Sequence, residues 1–171
     1  SDNVRILHNT LVSSFNIGFG PVLTINSMQE NGQDFDQIEV KNNIIVSLKG
    51  NMAASYNTTN GIDVDHNIYW TKHKTPFKTT DGTVLDFSPH ANYYDEFDKY
   101  QAENSMDTHS QFLLPRFVSP TDFHIANDAR LKGKGIAVGV LTDYDGQSRN
   151  SATPDPGADE FTFLPASQDA G

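Results

Sequence analysis

One compact set of reactive side chains in this sequence is Asp63, Asp65 and His66, within Ile62-Asp63-Val64-Asp65-His66. Carboxylates bind cations or move protons, and an imidazole does either near neutral pH, so the group could form a metal site or an acid/base pair. A second group, Glu30, Asp34 and Asp36, lies in the polar run from Ser27 to Asp36. Its oxygens suit calcium or a general acid/base pair, although the spacing is not that of an EF-hand. Asp143-Tyr144-Asp145-Gly146 opens like a calcium loop but lacks later ligands at the right spacing. It reads instead as a tight acidic turn, with Arg149 paired to a nearby carboxylate.

Each group also has a plain structural reading. Asp63 and Asp65 alternate with apolar Ile62 and Val64, as a strand with one solvated face does. His66 sits where a turn follows that strand, which accounts for it without chemistry. Acidic loops such as 27–36 are commonly just solvated.

The element that must position Asp63, Asp65 and His66 occurs three times, as residues 4–12, 38–46 and 62–70. Each copy reads β-branched, variable, β-branched, variable, His or Asn, Asn, variable, apolar, variable. The copies begin 34 and then 24 residues apart, which places them near the repeat lengths of solenoids. The shared Asn (Asn9, Asn43, Asn67) is expected to mark a sharp break, because Asn tolerates left-handed backbone angles. Stacked strands would align Arg5, Glu39 and Asp63 in one outward column and Leu7, Lys41 and Asp65 in another. Mixed charges then predict the pairs Arg5–Glu39 and Lys41–Asp65.

Composition narrows the function classes. The 171 residues carry a formal net charge of −10, which opposes binding to nucleic acid or anionic lipid. No apolar run reaches the eighteen residues a membrane span needs. There is no cysteine, which excludes thiol catalysis, disulfides and Cys-ligated zinc. A neutral glycan, or an acidic one bridged by cations, remains compatible.

With its three Asn-ended strands, the chain resembles the right-handed parallel β-helix of the pectate-lyase-like superfamily. There, Asn side chains at one turn of successive coils stack into a ladder, and Asn9, Asn43 and Asn67 match that position. Ile62-Asp63-Val64-Asp65-His66 also resembles a short motif of pectate lyases. The C-terminal half, from Phe97-Asp98-Lys99-Tyr100-Gln101 through Asp107-Thr108-His109-Ser110, Pro115-Arg116-Phe117-Val118 and Asp122-Phe123-His124-Ile125, is similar to the closing segment of bacterial secreted β-helix proteins. Asp143 to Arg149 and Asp155 to Phe161 continue that likeness.

The resemblance implies an all-β parallel solenoid with one short helix in its closing segment. It implies coils over 1–71, a loop and helix over 72–118, and a last coil with C-terminal cap over 119–171. Pro21–Asn26 and Asn51–Tyr56 would be the first strands of coils. The groove of such proteins runs along those strands, which points to Asn26, Tyr56 and His73 as substrate contacts. Tyr93, Phe97 and Tyr100 recur at helical spacing and predict a buried stripe on a helix ending near Asn104. Residues 77–80 and 83–87 are expected as two short strands about Asp81-Gly82, and 115–120 and 122–125 as extended pieces of the last coil. Residues 128–133 are expected to make one helical turn, and 136–140 a short strand.

A solenoid needs capping units, and residues 4–12 read as an interior one. The chain is therefore expected to be the C-terminal portion of a longer protein whose remaining coils would be its partner. The implied function is that of a secreted, periplasmic or cell-surface protein processing polysaccharide, of the polysaccharide lyase or glycoside hydrolase type. No cofactor is required by this reading, and calcium is the candidate ion. The alternative is a non-catalytic β-helix that binds glycan or serves as a spacer. Convergent acids would mark the first class, and a groove of aromatic and amide groups the second.

Overall fold

The computed structural model describes residues 3–14, 21–25, 37–49, 52–56, 61–71, 77–79 and 97–164. Nine strands come in three successive sets. The first set is β1 (Val4–Leu7), β2 (Thr10–Ser13) and β3 (Pro21–Ile25). The second is β4 (Ile38–Lys41), β5 (Ile44–Ser47) and β6 (Met52–Tyr56), and the third is β7 (Ile62–Asp65), β8 (Ile68–Thr71) and β9 (Phe77–Thr79).

Every strand pairs in parallel with the strand three further along, giving the sheets β1-β4-β7, β2-β5-β8 and β3-β6-β9. A short strand, β10 (Gln111–Phe112), adds a fourth level to the second sheet. The protein is thus all-β with parallel strands in stacked sheets, an order compatible with a β-helix. Among the described residues the only helix is α1 (Phe97–Asn104), which ends where its periodicity predicts. Phe97 packs on Tyr100 and Tyr69, so these two residues of the expected stripe, Phe97 and Tyr100, serve packing, while Tyr93 lies outside the described residues.

The repeat seen in the sequence is also the repeat in space. Val4, Ile38 and Ile62 are register partners, as are Ile6, Val40 and Val64. Ile38, Val40 and Val64 are buried, whereas Arg5, Glu39 and Asp63 between them are partly or largely exposed. This is the one-sided burial that period-two alternation encodes.

At the corner after each of these strands one expectation needs correcting. The left-handed residues are His8, Asn42 and His66 (φ 53°, 58° and 57°), each one position before the shared Asn. The preceding residue bends the chain, and this frees the Asn amide to lie along the stack. Asn43 Oδ1 accepts from the Asn9 backbone and side-chain amides at 3.0 and 3.1 Å. Asn67 Oδ1 accepts the same pair from Asn43 at 2.9 and 3.0 Å. The column ends on Ser110, whose Oγ accepts from the Asn67 backbone N–H at 2.7 Å.

Two apolar clusters lie on opposite sides of the second sheet. Ile45 and Tyr69 face inward with Ile25, Val40, Tyr56, Val64 and Tyr100. Ile44, Val46 and Ile68 meet Ile125, Leu131 and Phe161 from the C-terminal segment. Every residue of β5 is therefore buried.

The C-terminal segment departs from the expected last coil. β11 (Phe117–Ser119) and β12 (Asp122–Ile125) pair with each other antiparallel, because Pro120 and Thr121 turn the chain straight back. Residues 128–133 form turns, with the Leu131 N–H donating to the Asp128 carbonyl and Gly133 left-handed. Residues 136–140 are not a strand. Asn42 instead holds Ile136 by both backbone groups, at 2.7 and 2.9 Å. Of the two strands expected over 77–87, Phe77–Thr79 is present and pairs with β6. Residues 83–87 lie outside the described residues.

Candidate functional site: a charged strand face and its histidine corner

The outward residues of β1, β4 and β7 form two columns, Arg5-Glu39-Asp63 and Leu7-Lys41-Asp65. Arg5 pairs with Glu39 as expected. Lys41 does not pair with Asp65 but reaches diagonally to Asp63, because the Asp65 carboxylate is held elsewhere. Beside the first column lies a cleft of about 690 Å³, lined by Asn3, Arg5, Gln37, Ile38, Glu39, Gly61, Ile62 and Asp63. Arg5 also donates to the Val138 carbonyl at 2.9 Å and so ties the C-terminal segment to this face.

Asp65 lies at the other end of β7, where the register of β10 on β8 becomes decisive. Gln111 is the partner of Ile68, so His109 falls directly over His66, one level along the stack. The two rings stack at 4.7 Å with 20° between their planes, close to the strand spacing of about 4.8 Å. Asp65 Oδ1 accepts the backbone N–H groups of His66 and His109 at 2.9 and 2.7 Å. Asp65 Oδ2 lies 2.7 Å from His109 Nδ1 and 3.3 Å from His66 Nδ1.

These contacts set the charge states. Burial works to raise the Asp65 pKa, but the His109 side-chain and backbone bonds and the His66 N–H outweigh it and hold the carboxyl below its usual range. Burial lowers the His66 pKa, and the neighbouring His109 and Lys41 add to that against the pull of Asp65 and Asp63. At neutral pH, His66 is therefore an uncharged imidazole beside an ionised carboxylate. Its Nδ1 is buried and makes no hydrogen bond, since the 3.3 Å approach to Asp65 is not aligned for one. One ligand atom each from Asp65, His66 and His109 fall within 4.8 Å of one another. Such a trio can take up a proton or hold a cation.

Of the residues singled out in the sequence, Asp65 and His66 thus meet at one corner, while Asp63 stands apart in the cleft. The sequence does not single out His109 as a site residue, because its repeat is degenerate. His109-Ser110-Gln111-Phe112 is the counterpart of His66-Asn67-Ile68-Tyr69, with Ser in place of the ladder Asn. Tyr56 is fully buried and its hydroxyl meets that of Tyr69 at 3.0 Å, so it does not face solvent. Asn26, Glu30, Asp34, Asp36 and His73 lie outside the described residues.

The acidic turn gains a ligand that local spacing did not supply. Folding brings Asp159 to Asp143 and Asp145, with their oxygens within 4.8 Å. These carboxylates already serve the chain. Asp143 accepts the N–H groups of Asp145, Gln147 and Glu160, Asp159 accepts that of Ile125, and Asp145 pairs with His124. Arg149 is buried and lies 3.5 Å from Glu160 Oε2. It also donates to the carbonyls of Thr142, Asp155, Gly157 and Ala158.

Compared with protein-family models, with curated proteins and with solved structures, the chain finds no match.

Proposed function

We propose that the chain is a right-handed parallel β-helix of the pectate-lyase-like type, and that it acts on polysaccharide as part of a secreted, periplasmic or cell-surface protein. The observation that carries this reading is the in-register stack itself. Three sets of strands repeat with one Asn column at their corner, and a cleft runs across the outward face of the same strands. Its guanidinium, amide and carboxylate groups (Arg5, Asn3, Gln37, Glu39, Asp63) are the donors and acceptors that sugar hydroxyls and uronates require.

A lyase would draw its base from Arg or Lys with a cation neutralising the uronate, and a hydrolase would use two carboxylates. The second reading, glycan binding without turnover, is favoured for this chain by the pairing of Arg5 with Glu39 and of Lys41 with Asp63. Both carboxylates of the cleft already have cationic partners.

The deciding experiment incubates the protein with a panel of uronate-containing and neutral polysaccharides. Unsaturated or reducing-end products are followed, with retention on each immobilised glycan measured in parallel. Retention without products is the result expected of this chain, and Arg5→Ala should weaken it. Neither products nor retention on any glycan sinks the polysaccharide reading.

A further inference from the structure

We propose that Asp65, His66 and His109 bind one divalent transition-metal ion of the zinc class, held between two successive levels of the stack. The inference goes beyond the polysaccharide reading and does not depend on it. Two imidazole nitrogens and one carboxylate oxygen are the donor set that borderline cations take, whereas calcium prefers oxygen alone. The three atoms already lie within 4.8 Å of one another. His66 Nδ1, 3.3 Å from Asp65 Oδ2, is a buried nitrogen with no hydrogen bond.

A tetrahedral ion with bonds of about 2.0–2.2 Å keeps its ligand atoms roughly 3.3 Å apart. The Asp65–His66 separation is 3.3 Å, and the Asp65–His109 separation is 2.7 Å. Entry of the ion therefore requires His109 to swing outward and turn its ring, so that the two Nδ1 lone pairs converge. The His109 side chain is 66% exposed and has the room. Asp65 needs no such movement, because two backbone N–H groups fix its other oxygen. That is the support a ligating carboxylate usually has. Three protein ligands leave a coordination position for water or a substrate oxygen.

The test titrates the metal-free protein with Co2+, follows the visible d–d absorption, and then displaces the cobalt with Zn2+. Saturation at one equivalent, with the intense bands of four-coordinate cobalt, is expected. His109→Ala should weaken binding by more than the roughly 10–100-fold that losing an outer-shell partner costs. His124→Ala, which removes the contacts of that ring with Asp122 and Asp145, should leave binding unchanged. His109→Cys should restore binding and add a thiolate-to-cobalt charge-transfer band, which a merely structural role for His109 cannot produce. The proposal is overturned if the protein takes up no saturable cobalt, or if His109→Ala binds it as tightly as the parent.

Discussion

At the scale of single residues, Asn43 and Asp107 carry the corner on which the stack turns. Asn43 is fully buried. Its Nδ2 donates to the carbonyls of Ile6 and Lys41 and to Asn67 Oδ1, while its Oδ1 receives Asn9. Asn43→Ala removes these bonds and strands partners on both neighbouring levels. Each unsatisfied buried group costs about 1–3 kcal/mol, so a total of roughly 3 kcal/mol or more is expected. Asn9→Ala, at the exposed end of the column, should cost about 1 kcal/mol or less. Denaturant midpoints of the two variants measure the difference, and equal losses would sink the ladder as a source of stability.

Asp107 lies beyond the ladder's last Asn, wholly buried. It accepts from Ser110 Oγ, Asn67 Nδ2 and the hydroxyls of Tyr100 and Tyr69. Burial nonetheless dominates over these donors and pushes its pKa from 3.8 up to about 6. Between those values the unfolded chain releases the proton while the folded chain keeps it. Stability from this group therefore falls as pH rises from about 4 to about 6, by something on the order of 1–3 kcal/mol. Asp107→Asn removes that slope. The stability of the variant relative to the parent should climb across the same window and then level off. Paired unfolding curves at several pH values test this, and a flat difference would mean that Asp107 is ionised in the folded protein throughout.

At the scale of elements, the second sheet explains what the sequence discloses and what it hides. β1, β4 and β7 were legible because one face meets solvent, so burial is written as alternation. β5 is covered on both sides, and Ile44-Ile45-Val46 therefore carries no alternation to show which side meets what. The corner was legible as Asn, yet the strained angle belongs to the residue before it. Asn amides stack at the shared position, and side-chain identity there reports hydrogen bonding rather than backbone angle. His109 was hidden because β10 has only two residues and its ladder residue is Ser. The partners of Ile44 and Val46 lie in a segment whose own pattern is turns, and no local spacing links them.

That covering contact is tight at Gly157. A Cβ there would meet Ile44 Cδ1 at 2.5 Å and Thr10 Oγ1 at 2.9 Å, and φ is +89°. Gly157→Ala should therefore destabilise by about 2–4 kcal/mol, from overpacking and backbone strain together. Ile44→Val, which removes the nearest atom, should recover part of this when combined with it. A double-mutant coupling of about 0.5–3 kcal/mol is expected. Strict additivity would mean that the turn at 157 does not press on β5.

At the scale of the whole molecule, the question is whether the stacked strands and the C-terminal segment form one cooperative unit. A repeat stack alone is nearly one-dimensional, each level touching only its neighbours, and can lose levels one at a time. Here the last segment reaches across the levels. Ala158 N–H donates to Thr10 Oγ1 across 148 residues of sequence, Arg5 holds the Val138 carbonyl across 133, and Asn42 holds Ile136 across 94. Gly157 N–H donates to the Asn42 carbonyl. Shedding the segment would uncover Ile44, Val46 and Ile68 and leave the Asn42 amide without these partners. At about 1.5–3 kcal/mol for each apolar side chain, that loss is comparable with the 5–15 kcal/mol by which whole domains are stable. Calorimetry of the full chain should accordingly give a single transition, and a chain ended after Leu114, which lacks Ile125, Leu131 and Phe161, should not fold cooperatively. Two separable transitions, or a shortened chain that still melts sharply, would mean the stack stands without its C-terminal cover.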